Sequence, residues 1–113
     1  MKVDYILGDY PMRMSDMVGY GSLYPKLIHH RTSYFPSKAN HPQPIPWKSG
    51  FQSLYISAPN PNILVGAMVG GPNNMDTFTD VRNNYDQSEP STYINAPLVG
   101  SLAYLAQRLM LYL

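Results

Sequence analysis

The spacing of the prolines constrains this chain more than any other feature of its sequence. Proline lacks a backbone N–H donor and breaks regular elements, and the chain has 11 prolines in 113 residues, where average usage would give about 6. Within residues 9–62 they recur too closely for a long helix or strand; seven of them are Pro25, Pro36, Pro42, Pro44, Pro46, Pro59 and Pro61. Because this region is not low in complexity and contains Tyr, His, Arg and Trp, it is predicted to form ordered loops that line a site.

Two segments have the pattern of helices. In residues 2–8 the apolar positions fall at helical spacing and Gly8 is suited to end a helix, so this segment is predicted to be the tail of a helix that began upstream. A second helix is predicted from about 97 to 113, with Asn95 as its N-cap and Pro97 in its first turn. Its apolar stripe needs a surface to pack against; the stripe consists of Leu98, Leu102, Leu105, Leu109 and Tyr112.

One apolar run leaves its structure open. Residues 63–69 are compatible with a buried strand or a buried helical segment, because periodicity does not decide between them over so short a run. Residues 70–90 are rich in Gly, Asn, Asp and Pro and are predicted to be loop.

The charge balance disfavours two classes of partner. The net charge is +1, with 8 Lys and Arg against 7 Asp and Glu, which provides no electrostatic basis for binding nucleic acid or an anionic membrane. The longest apolar stretch, residues 98–113, is interrupted by Gln107 and Arg108 and is short for a membrane span.

There is no cysteine, and no N-terminal segment has the pattern of a signal peptide.

Glu89, the only glutamate in the chain, is a candidate general acid. Its neighbours in sequence are aromatic, amide and hydroxyl residues, without Lys or Arg within five positions. A carboxyl without a nearby cation is not held in its ionised form, and desolvation would favour the protonated form that a general acid requires. On local sequence alone, a solvated loop carboxylate remains the more common alternative.

Asp80 precedes Glu89 by nine residues, with Asp76 and Asp86 on either side. A pair of carboxylates flanking one bond is the minimum requirement for hydrolysis of a glycoside. The alternatives are an acidic surface loop or a calcium site, although the spacing matches no EF-hand.

His29, His30 and Arg31 form a second candidate group. Adjacent histidines point in different directions in an extended segment, and no third ligand has the spacing of a zinc site, so no metal is expected here. An imidazole and a guanidinium together are able to bind sugar hydroxyls or a carboxylate. The alternative is a loop that contains one buried, hydrogen-bonded histidine.

Aromatic side chains are a third source of binding groups. Trp47 and the ten tyrosines are able to stack on sugar rings, although such residues more often pack in a core. The sequence has no phosphate-binding glycine loop, no Gly-x-Ser-x-Gly and no cysteine nucleophile.

Three blocks of the sequence together resemble the plant-type glycoside hydrolases of family 9. The first contains VDYILGD (3–9), SDMVGYG (15–21) and HHR (29–31). The second contains GFQS (50–53), PNPN (59–62) and LVGAMVGGP (64–72). The third has Phe78-x-Asp80, Tyr85, QSEP (87–90) and TYINAPLVG (92–100), in the order of the family's active-site signature. The resemblance extends to about residue 106.

The resemblance implies a fold, an activity and a role for each matching residue. The fold implied is all-α: residues 1–113 would be the loop-rich C-terminal part of an (α/α)₆ barrel catalytic domain. The activity implied is that of an endo-β-1,4-glucanase, a cellulase acting on β-1,4-glucan without a cofactor. Catalytic roles fall on Glu89 as the general acid, with Asp80 and His29. Substrate-binding roles fall on Arg31, His30 and Asn95.

The same resemblance exposes what this chain lacks. Members of the family invert the anomeric centre, so a second carboxylate must activate water, and the Asp-Ala-Gly-Asp motif that supplies it in the family does not occur here. The alternative function is therefore a truncated, inactive product that at most binds glucan. Residues 40–48 also depart from the plant pattern, which has a Cys before Gly-Phe-Gln. The family is largely secreted to the cell wall or held at the plasma membrane, so an extracellular location is expected.

Overall fold

The computed structural model describes residues 3–112 and contains helices joined by long loops. Four of the helices are short, and the last has 19 residues; they are α1 (Val3–Ile6), α2 (Arg31–Tyr34), α3 (Ser49–Leu54), α4 (Tyr85–Ser88) and α5 (Thr92–Met110). No strand occurs within the described residues. The loops predicted from the proline spacing are confirmed, since α2 and α3 have only four and six residues.

The predicted helix tail at the N-terminus is confirmed within the described residues, which begin at residue 3. Gly8 has a φ of 110°, a backbone conformation that residues with a Cβ rarely adopt. The amide of Asp9 then donates to the carbonyl of Asp4 at 2.8 Å, which satisfies one of the free carbonyls at the end of α1.

The predicted C-terminal helix is also confirmed, but it begins earlier than expected. Ser91 rather than Asn95 is the N-cap, and its hydroxyl accepts a hydrogen bond from the amide of Ile94 at 3.3 Å. Pro97 consequently lies inside the helix rather than in its first turn. Asn95 is not available as a cap because its side chain bonds to a neighbouring loop. The helix also ends earlier than the predicted residue 113, at Met110 with Leu111 as its C-cap; residue 113 itself lies outside the described residues.

Residues 63–69 are neither strand nor helix. They run beside residues 16–18 in a short antiparallel contact around the isolated bridge between Met17 and Met68. The amide of Val18 donates to Ala67 at 2.9 Å and that of Val69 donates to Asp16 at 3.1 Å. Only the end of the run is buried by this pairing, since Met68 and Val69 are buried while Ile63 and Val65 are exposed.

The core is small and lies between the N-terminal loop and the segments that cross it. Its buried side chains are Tyr10, Met14, Val18, Ile28, Val69 and Phe78. Leu98 is the only buried residue of α5, while Val99, Leu105 and Leu109 are exposed. The described part of the chain therefore leaves most of the apolar stripe of α5 uncovered. Among the described helices, none has the length and apolarity needed to cross a membrane.

Candidate active site

The backbone places His29 against the segment that carries Glu89. The amide of His29 donates to the carbonyl of Ser88 at 3.0 Å. Its ring Nδ1 lies 2.6 Å from the carbonyl of Arg82, which requires a proton on Nδ1. In the neutral ring Nε2 is then the acceptor, and it has no hydrogen-bond partner within residues 3–112. The Arg82 carbonyl thus orients the imidazole, while the Ser88 carbonyl holds the backbone of His29, before any ligand binds.

Glu89 lies directly after α4, beside a pocket of about 340 Å³. Its amide donates to the carbonyl of Tyr85 at 3.0 Å, which closes the last turn of α4. The pocket is lined by Tyr85, Asp86, Glu89, Ser91, Tyr93 and Ile94. The ring of Tyr85 also meets that of His29 edge-on, with 6.2 Å between the centroids. Tyr85 therefore connects the pocket of Glu89 to the histidine.

The side chain of Glu89 is exposed in the described structure. The sequence prediction required desolvation to favour its protonated form, and the described residues do not provide that burial. In the chain by itself Glu89 therefore matches the alternative of a solvated loop carboxylate, because the pocket beside it opens to solvent. Any burial of this carboxyl must come from a surface other than residues 3–112.

Arg31 and His29 share a second pocket, of about 240 Å³, between α2 and α3. The Arg31 guanidinium donates to the carbonyl of Trp47 and lies 5.2 Å from the ring centre of Phe35. A Cβ on Gly50 would come within 3.2 Å of Arg31 Nη2, so glycine leaves room for the guanidinium. The pocket is lined by His29, Arg31, Tyr34, Trp47, Gly50, Phe51 and Leu54.

His30, the remaining residue of this predicted group, is oriented locally. Its ring Nδ1 forms a hydrogen bond of 2.8 Å with the hydroxyl of Thr32 at the surface. His30 does not line the pocket that contains His29 and Arg31, because adjacent side chains of an extended segment diverge.

Asp80 supports the site through the backbone. Its two carboxylate oxygens accept hydrogen bonds from the amides of Lys26 and Leu27, at 2.8 and 3.0 Å. These are charge-assisted bonds, and they fix the turn that leads into His29. The carboxylate does not line the pocket of Glu89, so the two carboxylates paired by sequence spacing lie in different environments.

Asn95 also has its side chain engaged by the backbone. Its Oδ1 accepts from the amide of Met68 at 3.0 Å, and its Nδ2 donates to the carbonyl of Gly66 at 2.8 Å. These two bonds tie α5 to residues 66–68. The amide group predicted to bind substrate is therefore used to position the helix.

Arg82 and Asn60 are the residues that the sequence did not single out. Arg82 is only 3% exposed, and its guanidinium donates to Asn60 Oδ1 at 2.6 Å and to the carbonyls of Ser53, Ile56 and Ala58. Burial lowers the pKa of Arg82. Asn60 in turn donates to the carbonyl of Ile28 at 2.9 Å. Nothing in the local sequence distinguishes this buried arginine from a surface one.

Within residues 3–112, no group of three or more His, Asp or Glu residues is arranged to hold a metal ion.

The comparisons with known proteins define the class. The sequence matches the family model "Glycosyl hydrolase family 9" over residues 1–102, and the chain belongs to that family. Members of this family have an (α/α)₆ barrel, and the helices and loops described above are consistent with part of one, which confirms the predicted fold class.

Two plant endoglucanases with similar sequences show how much of a family 9 protein this chain spans. The chain is 64% identical to Endoglucanase 2 of Persea americana over 105 residues, which are 93% of this chain and 81% of that sequence. It is also 64% identical to Endoglucanase 1 of the same organism, over 93% of this chain but 21% of the relative. The chain therefore spans about a fifth of the length of this second relative.

Solved structures agree with the sequence comparisons. The crystal structure of the cellulase Cel9M of C. cellulolyticum in complex with cellobiose matches 89% of this chain and 20% of that protein, with 40% identity and a TM-score of 0.70. The endoglucanase of the termite Nasutitermes takasagoensis matches 76% of this chain with 35% identity and a TM-score of 0.62.

Proposed function

We propose that residues 1–113 are the acid-bearing, C-terminal part of the catalytic domain of an endo-β-1,4-glucanase. The observation that carries this proposal is the hydrogen bond between the His29 amide and the Ser88 carbonyl, which brings the histidine beside Glu89. Family membership and the names of the relatives support the same activity. The cellobiose in the Cel9M structure supports a β-1,4-linked glucan as the substrate.

In this proposal Glu89 is the general acid. It donates its proton to the glycosidic oxygen as the bond to the anomeric carbon breaks, while water attacks from the opposite face of the sugar. Inversion requires a second carboxylate to take a proton from that water, at a distance of about 6.5–9.5 Å from the acid. Within this chain Asp80 is not suited to that role, because both its oxygens accept backbone hydrogen bonds. The base is proposed to come from the Asp-Ala-Gly-Asp motif that the resemblance to the family implies, which this chain does not contain.

The other predicted residues divide into binding and positioning roles. His29 and Arg31 line one pocket and present an imidazole and a guanidinium to sugar hydroxyls. Asp80 and Asn95 are positioning residues, since each holds a loop of the site by backbone hydrogen bonds. His30 remains a surface binding residue beside the pocket.

The test is reconstitution of the barrel from two pieces. The 113-residue chain would be combined with the portion of Persea americana Endoglucanase 1 outside the matched segment, which is about four fifths of that protein. Hydrolysis of carboxymethylcellulose is expected for the combination and not for either piece. Glu89→Gln should reduce the rate at least about 100-fold, because general acids contribute roughly 10²–10⁴.

Asp86→Asn is the matched control for Glu89→Gln. Asp86 is an exposed carboxylate that lines the same pocket three residues away, so its loss should change the rate less than about 3-fold if proton donation is specific to Glu89. Full activity of the Glu89→Gln variant would exclude Glu89 as the acid.

A second candidate function is an inactive chain that binds glucan. The exposed stripe of α5, including Leu105 and Leu109, favours it because this surface lacks the partners of a complete barrel. In this case the isolated chain would bind cellooligosaccharides without hydrolysing them, and it would melt without a sharp transition in circular dichroism. A cooperative melt together with hydrolysis by the isolated chain would rule this candidate out.

We also propose that the gene product acts at the cell wall, as expected from the family. Fractionation of the source tissue with an antibody against residues 3–112 would test this. Recovery of the protein only from the cytosol would contradict it.

A further inference from the structure

We infer that Trp47 and Phe51 form an aromatic platform that binds one pyranose ring of a β-1,4-glucan next to His29 and Arg31. The inference rests on the proposed function for the class of ligand and adds a specificity-determining pair to it. Both side chains are 64% exposed, and both line the pocket between α2 and α3.

The geometry of the pair is suited to a flat, partly apolar ligand. The two rings meet edge-on, with 6.1 Å between centroids and 67° between planes. An edge-on pair is a favourable aromatic contact that occupies one face of only one ring, and the Lys48 ammonium lies 6.0 Å from the centre of the Trp47 ring. A pyranose carries C–H groups on its faces and hydroxyls around its edge, so it is able to lie on an aromatic face while its hydroxyls reach polar neighbours.

Polar groups for those hydroxyls converge on the same pocket. The guanidinium of Arg31 is held there by the carbonyl of Trp47 and by contact with the ring of Phe35. His29 Nε2 is the ring nitrogen not used by the carbonyl of Arg82. A pocket with aromatic walls and a few converging polar groups is typical of small-ligand sites.

Trp47 also lies where this chain departs from its family. It falls within residues 40–48, the stretch that differs from the plant pattern, which has a cysteine before Gly-Phe-Gln. The prolines at 42, 44 and 46 stiffen the segment that leads into it, so the indole is presented on a loop of restricted freedom.

Trp47 is the only tryptophan in the chain, so its fluorescence reports on this pocket alone. Titration of the full chain with cellotetraose is expected to shift the indole emission to shorter wavelength in a saturable manner. Maltotetraose, which has α-1,4 linkages, is the control ligand and is expected to produce a smaller shift.

Calorimetry with cellotetraose tests the side chains directly. Trp47→Ala is expected to weaken binding about tenfold, which equals about 1.4 kcal/mol, and Trp47→Phe should retain most of the affinity. The hydrogen bond of Arg31 is retained in both variants, because it is made to the Trp47 carbonyl and not to the indole. Tyr55→Ala is the matched control, since Tyr55 is exposed and does not line the pocket.

The outcomes separate this inference from the proposed function. Undiminished binding by Trp47→Ala, with loss of binding in Arg31→Ala, would overturn the platform and leave the glucanase proposal standing. Absence of any binding by the folded wild-type chain would overturn the platform as well, while the Glu89→Gln assay would still decide the catalytic role of Glu89.

Discussion

The amide of His29 donates to the carbonyl of Ser88 at 3.0 Å, so the histidine and the residue that precedes Glu89 are fixed to each other. The two segments are far apart in the sequence. Three other polar side chains bond to neighbouring segments of the chain. Asp80 bonds to the turn before His29, and Asn95 bonds to residues 66–68. Arg82 bonds to the loop of residues 53–60. The candidate site therefore depends on polar side chains that bond to the backbone.

Arg82 should be the most sensitive of these positions. Arg82→Met removes the buried guanidinium that donates to the carbonyls of Ser53, Ile56 and Ala58 through part-buried hydrogen bonds. The free energy of unfolding is expected to fall by about 2–4 kcal/mol, as measured by urea denaturation, because several hydrogen bonds to a charged donor are lost together. Arg108→Met is the control, because Arg108 is exposed on α5, and should change stability by less than about 0.5 kcal/mol. Equal effects of the two substitutions would contradict the role assigned to Arg82.

Asp80→Asn tests whether this carboxylate acts by positioning. Asparagine keeps one acceptor but places an NH₂ group against a backbone amide, so one of the bonds to Lys26 and Leu27 is lost. The expected loss of stability is about 1.5–3 kcal/mol, since a charged acceptor is removed. In the reconstituted enzyme the pH profile should keep its shape while the rate falls. A change in the acidic limb of that profile would indicate that Asp80 itself takes part in proton transfer.

Asn95→Ala should loosen α5 from the loop of residues 66–68. Both hydrogen-bonding groups of the side chain are lost, which leaves the amide of Met68 and the carbonyl of Gly66 unpaired. The free energy of unfolding should fall by about 2 kcal/mol, and hydrogen exchange at the Met68 amide should accelerate. Asn83→Ala, at an exposed loop position, is the comparison. Unchanged exchange at Met68 would argue against the assigned role of Asn95.

Asp16 should make stability depend on pH. It is 5% exposed and its Oδ1 has no hydrogen-bond partner within the described residues; burial raises the pKa of its carboxyl from 3.8 to about 7. Between these values the folded chain binds more protons than the unfolded chain, so the contribution of Asp16 to stability falls as pH rises from about 4 to about 7 and is constant above that.

The comparison with Asp16→Asn isolates this effect. The nearby Tyr5 and Tyr10 have pKa values raised to about 12, by the hydrogen bond to Asp76 and by burial respectively, and so do not titrate in the same range. Asp76 and the histidines are present in both the wild type and the Asp16→Asn variant, so their contributions cancel when the two proteins are compared. The variant should gain up to about 4 kcal/mol relative to the wild type between pH 4 and 7.5, measured by urea denaturation. A constant difference across that range would show that Asp16 does not carry the dependence.

Local patterns in the sequence determined several features without tertiary information. The proline spacing determined that residues 9–62 form loops, since a missing donor and a fixed φ act within a few residues. Gly8 determined where the N-terminal helix ends. The apolar repeat after residue 97 determined that a helix forms near the C-terminus. Motif order was sufficient for the family, because so many matching positions in sequence are specific to it.

Tertiary structure alone decided what the polar side chains do. Asp80 and Glu89 look alike as loop carboxylates, but one meets two backbone amides and the other faces solvent. The sequence predicts Asn95 as a helix cap, but in the structure its side-chain amide bonds to the loop that contains Met68, and Ser91 caps α5 instead. The physical reason is that a polar group is satisfied by whichever partner the fold brings within about 3 Å, and most of these partners lie more than 20 residues away in the chain.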